Sequence, residues 1–81
     1  METMKHATYL ITTENGVSRT WNFTEVHSEG DYGNGNYIVV TRGEEVIAYL
    51  DMRYAKYVFG TVCENYIRDY FGTNLYSYER R

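Results

Sequence analysis

The sequence contains no proline and a single cysteine, Cys63. One cysteine cannot close a disulfide within the chain, which argues against the small secreted class held together by cross-links. Histidine is equally scarce. His6, His27 and Cys63 show no metal-ligand spacing, so no metal or other cofactor is expected. No apolar run approaches the ~20 residues that cross a bilayer. The start, Met1-Glu2-Thr3-Met4-Lys5-His6, lacks the basic patch and apolar stretch of a secretory leader. The expectation is a soluble, cytoplasmic protein with no membrane association. Positive charge is also in short supply: 8 basic residues face 11 acidic ones, for a net charge of −3. Phosphate backbones attract basic surfaces, so direct nucleic-acid binding is disfavoured. The Arg80-Arg81 pair at the end reads as a solvated tail.

What the chain does have is tyrosine, ten in 81 residues. Tyrosine suits strands, and it also suits interfaces, where its ring adds area at low entropic cost. The length allows one core and therefore one domain, 1–81. A chain this short buries only roughly 60–65% of its unfolded surface, so its stability margin is small.

Residues 6–13 and 17–26 are rich in β-branched and aromatic types and flank Asn15-Gly16, a strong hairpin signal. A two-residue type I′ turn there would set Leu10 opposite Trp21, Thr8 opposite Phe23 and His6 opposite Glu25. Leu10, Trp21 and Phe23 would then face the core, leaving Tyr9 and Ile11 on a mixed second side. Residues 28–36, with Gly30, Gly33 and Gly35, read as a loop. A second hairpin follows over 37–50, turning at Gly43-Glu44, with Arg42 opposite Glu45 and Val40 opposite Ile47.

Asp51 is placed to cap a helix running to about Phe71. Ala55, Val58, Phe59, Val62, Cys63, Tyr66 and Tyr70 recur at helical spacing on one face, and Gly72 stands where a C′ glycine belongs. Gly60 costs about 1 kcal/mol relative to alanine in such a helix. Residues 73–81 read as either a short fifth strand or a loose end. The expected fold class is α+β: an antiparallel four-stranded sheet, made of two consecutive hairpins, packed against one C-terminal helix.

One helix covers only one face of a sheet, yet the second hairpin is apolar on both sides. Ile38, Val40, Ile47 and Tyr49 fall on one side in this register. Tyr37, Val39, Val46, Ala48 and Leu50 fall on the other. The second face needs a cover, either the C-terminal tail with Tyr76 and Tyr78 as its lid or another molecule.

Chemistry is harder to find. Neither histidine has the partners of a catalytic triad. Cys63 sits mid-helix on the apolar face, where a thiol behaves as a small hydrophobe. Glu44 and Glu45 read as solvated. The segment Gly30–Gly35 has no lysine and leads into a strand, so it lacks the helix N-terminus of a phosphate loop. The expectation is therefore a non-enzymatic interaction protein, of the type common among small phage and mobile-element proteins. It would bind a larger protein, with inhibition as one form of that binding. Tyr9, Ile11, Glu29, Asp31, Tyr32 and Tyr37 are the expected contacts. Two alternatives stand beside it: a homodimer enclosing a nucleotide or similar small ligand, and a structural component of a larger assembly.

Overall fold

The structure, a computed structural model, describes residues 2–29, 36–51 and 58–81. Strands β1 (Glu2–Thr13), β2 (Ser18–Glu29), β3 (Asn36–Arg42) and β4 (Glu45–Asp51) precede helix α1 (Phe59–Phe71). A short 3-10 turn (Gly72–Asn74) then leads into β5 (Leu75–Arg80). The sheet is antiparallel throughout, in the order β4-β3-β2-β1-β5. The α+β class holds, with five strands where the two hairpins alone supply four.

The first hairpin forms around Asn15-Gly16, but its loop has three residues. The Thr13 N–H donates to the Val17 carbonyl and the Gly16 N–H to the Thr13 carbonyl, both at 2.9 Å. Gly16 takes φ +83°, the left-handed position that closes a three-residue loop. The Asn15 side chain helps choose this loop by accepting the Thr13 hydroxyl and the Val17 N–H. Compared with a two-residue turn, the pairing slips by one residue. Tyr9 faces Trp21, Ala7 faces Phe23, and His6 faces Thr24 instead of Glu25. A slip of one exchanges the faces of a strand. Ala7, Tyr9 and Ile11 therefore join Trp21 and Phe23 in the core, while Leu10 moves to the opposite side.

The second hairpin turns at Gly43-Glu44, with Gly43 at φ +61° and Arg42 opposite Glu45 as expected. A bulge between Val40 and Thr41 then shifts the register, so Val40 faces Ala48 rather than Ile47 and Val39 faces Tyr49. The bulge places Ala48 and Leu50 on the helix side with Ile38 and Val40 and sends Tyr49 to the other side.

Asp51 ends β4 and so is no helix cap. The residues expected in the first helical turns, 52–57, lie outside the described ones. Val58 is extended (φ −131°, ψ 114°), and α1 starts after it. Phe59, Cys63, Ile67 and Phe71 are buried at successive i, i+4 positions, with Val62 and Tyr66 beside them, whereas Val58 and Tyr70 are exposed. The apolar stripe thus runs along one i, i+4 row. Gly72 closes the helix at φ +56°, donating its N–H to the Arg68 carbonyl.

The tail settles as a fifth strand on the free edge of β1. The helix carries the chain from the β4 edge to the opposite edge, which is why β5 lands next to β1. Tyr78 turns toward the helix, 6.3 Å from the Tyr9 ring, and Tyr76 is exposed. The tail therefore does not lie over the second face. Arg80 stays exposed within this strand, its guanidinium 5.9 Å from the Phe59 ring.

Candidate functional site

Alternation along five strands gives the sheet two faces of different character. The helix covers one of them. On the other, the β1–β2 part is a band of hydroxyls and amides: Thr8 donates to Asn22 Oδ1 at 2.9 Å, and Thr12 and Ser18 share a hydrogen bond at 3.0 Å. His6 Nδ1 lies 3.4 Å from the Thr24 hydroxyl at the far end of this band. Toward β3 and β4 the face becomes apolar, with Val26, Val39, Tyr37, Tyr49 and Val46 on it. Tyr37 and Tyr49 stack across the hairpin, rings 5.5 Å apart and 22° from parallel. Val46 keeps 57% and Tyr49 48% of their surface exposed. Among the described side chains within the strands, Glu79 is the formal charge on this face.

The residues expected as contacts distribute unevenly over this frame. Tyr37 lies on the open face. Tyr9 and Ile11 do not: both are 0% exposed beneath the helix. The three-residue loop turned them inward, so a partner cannot reach them in the folded chain. Glu29 ends β2 opposite Asn36, while Asp31 and Tyr32 lie outside the described residues. Val46 and Tyr49 join the surface without having been singled out as contacts. The two-sided apolar pattern of residues 37–50 was the available signal for them.

The covered face holds three polar groups in unusual surroundings. Glu25 is 4% exposed, and its Oε2 has no hydrogen-bond partner among the described residues. Cys63 is fully buried, and burial pushes its thiol up to about 12. Burial, helped by the Glu64 carboxylate that accepts its hydroxyl at 3.2 Å, likewise raises the Tyr9 phenol to about 12. A thiol held this far toward its neutral form is a poor nucleophile, in agreement with its reading as a core residue.

At the loop end of the first hairpin, Thr13, Glu14, Asn15, Arg19, Phe71 and Asn74 line an open depression of about 430 Å³. Arg19 stands over the Phe71 ring there, 5.6 Å from its centre. Among the described residues, no group of three or more His, Cys, Asp or Glu side chains converges as a metal site would require, and no helix is long and apolar enough to cross a membrane. Comparison with protein-family models, with curated proteins and with solved structures gives no match.

Proposed function

We propose that the chain is a non-catalytic binding module that docks on a larger protein through the helix-free face of its sheet. The observation that carries this reading is the makeup of that face. It has an apolar and tyrosine-lined part at Tyr37, Val39, Val46 and Tyr49 on β3 and β4, a hydroxyl band beside it and little charge among the described strand side chains. Protein interfaces have this anatomy, since charged groups are costly to strip of water while aromatic rings contribute area without that cost. The hydroxyls suit the rim, where they exchange water for partner hydrogen bonds with little penalty. Phosphate backbones would find no basic counterpart among the described strand side chains of this face. Glu29, which ends β2, and Asp31 and Tyr32, which follow it in sequence, are proposed as further contacts. Inhibition follows in this reading if the covered surface of the partner is its own working site.

The test uses tagged wild-type protein and the double variant Val46→Asp, Tyr49→Asp, each passed through a lysate of the source cells. Native mass spectrometry then identifies what each retains. Both positions are exposed, so the variant should fold. A stoichiometric protein held by the wild type and lost by the variant is the expected result. Equal retention by both would remove the open face from the proposal. A retained small molecule would move the reading to ligand binding, with the depression beside Arg19 as the first place to look.

A further inference from the structure

On the helix side of the sheet, Arg42 fills a site built of aromatic rings. Its guanidinium stands 4.0 Å from the centre of the Trp21 ring and 5.9 Å from that of Tyr70. Tyr66 lies 5.9 Å from Trp21 and 6.1 Å from Tyr70. One carboxylate serves the same site: Glu45 pairs with Arg42 at 3.7 Å and accepts the Tyr66 hydroxyl at 2.9 Å. Tyr70 is 57% exposed and the Glu45 side chain 55%, so the site opens to solvent at its rim. Ring faces, a carboxylate and a water-accessible mouth are what a bound cation requires.

Arginine is an imperfect occupant. Its Nε is buried and has no hydrogen-bond partner among the described residues, and an unmet buried donor carries a desolvation cost. The Glu45 carboxylate and the Tyr66 hydroxyl serve the other guanidinium nitrogens, and Nε is left over. A cation with no N–H groups would meet the same rings and the same carboxylate with nothing left unpaired. We propose that Trp21, Tyr66, Tyr70 and Glu45 form a receptor for a quaternary-ammonium group, occupied in the unliganded chain by Arg42 as a tethered competitor. The carboxylate selects for a group without an attached phosphate, so the chemical class is a trimethylated amine such as a trimethyllysine side chain. This site lies on the opposite side of the sheet from the proposed docking face, and neither proposal depends on the other.

Trp21 is the only tryptophan in the chain, so its fluorescence reports directly on the site. Wild type and Arg42→Ala would be titrated with tetramethylammonium chloride against potassium chloride at matched ionic strength, with folding checked by circular dichroism. Removing Arg42 vacates the rings and also lifts its repulsion of a second cation, so the contribution of the rings themselves is read from the Tyr70→Ala step. The expected result is a saturable signal with half-saturation about tenfold lower in Arg42→Ala, equivalent to ~1.4 kcal/mol. Adding Tyr70→Ala to that variant should raise half-saturation about threefold by removing one wall. Arg42→Gln replaces the alanine variant if the latter does not fold. Equal half-saturation in wild type and variant, or no saturable signal beyond the potassium control in the variant, would overturn the proposal. Trimethyllysine should bind like tetramethylammonium, and tighter binding by phosphocholine would overturn the assigned ligand class.

Discussion

The Tyr9 hydroxyl donates to Glu64 Oε2 at 3.2 Å, joining the middle of β1 to the helix at the centre of the core. Tyr78 reaches the other oxygen of the same carboxylate at 3.4 Å, and Arg68 donates to the Tyr78 hydroxyl. One helix carboxylate thus ties together β1, β5 and α1. Tyr9→Phe removes one bond of the three and keeps the ring in its T-shaped contact with Phe23, 5.8 Å away. It should cost about 1 kcal/mol. Tyr9→Ala also empties the core position and should cost about 3–5 kcal/mol, by analogy with other aromatic truncations. Urea unfolding midpoints of the two variants provide the check, and similar losses in both would mean that the ring contributes little.

Alkali should loosen the fold before it changes anything else. The Cys63 thiol and the Tyr9 phenol are both raised to about 12 in the folded chain, from ordinary values of 9.0 and 10.0. Between about pH 9 and 12 the unfolded chain therefore binds fewer protons than the folded one, and stability falls as pH rises. The denaturation midpoint should be level up to about pH 8.5 and decline above it. In Cys63→Ala the decline should begin later, since the raised groups that then remain are the phenols of Tyr9 and Tyr66, whose ordinary values lie above that of the thiol. A flat profile to pH 11 would contradict the burial of both groups.

Glu25 offers a stabilising substitution. Its buried Oε2 has no partner among the described residues, and Lys5 faces it across the strand pair without closing an ion pair. Glu25→Met replaces the carboxylate with an apolar chain of similar length. Removing a buried, unpaired acceptor is neutral or favourable, so the midpoint should rise by the equivalent of about 1 kcal/mol. A clear loss of stability would show that the carboxylate has a partner it depends on.

Gly60 lies in the first turn of α1, facing Arg80 of β5 and Tyr9 of β1. A Cβ there would meet Arg80 Nη1 at 3.2 Å and the Tyr9 hydroxyl at 3.7 Å. The nearer atom is the tip of an exposed, flexible side chain, which can shift by a few tenths of an ångström. Helix propensity favours alanine by about 1 kcal/mol in a helix interior and by less in the first turn, where Gly60 stands. Gly60→Ala should therefore be neutral or stabilising by up to about 1 kcal/mol in thermal unfolding. Gly60→Val, which adds β-branched bulk, should destabilise the chain.

The candidate surface was partly legible in the sequence. The apolar residues on both sides of 37–50 announced that one face of the second hairpin would remain uncovered by a single helix, but not which of its two sides that would be. Tyr9 and Ile11 were misplaced because their direction depends on whether the Asn15-Gly16 loop holds two residues or three. Both loops use glycine at positive φ, and the choice rests on hydrogen bonds among Thr13, Asn15 and Val17. The same difficulty recurs at the bulge beside Val40, which no local pattern marks and which decides the side that Tyr49 takes. The Trp21–Arg42 contact joins residues 21 apart in sequence and had no local signal at all.

Sequence alone determined the class of fold, the place of both hairpins and the end of the helix at Gly72. These depend on alternation, on turn residues and on helical spacing, all of which act within a few residues. Only the tertiary structure decided which side chains face the helix, that the tail joins the sheet as a fifth strand, and which residues line the open face. Those outcomes depend on register, and register is set by the sum of packing and hydrogen bonding across strands. A shift of one residue changes little in local energy and exchanges the two faces of the sheet.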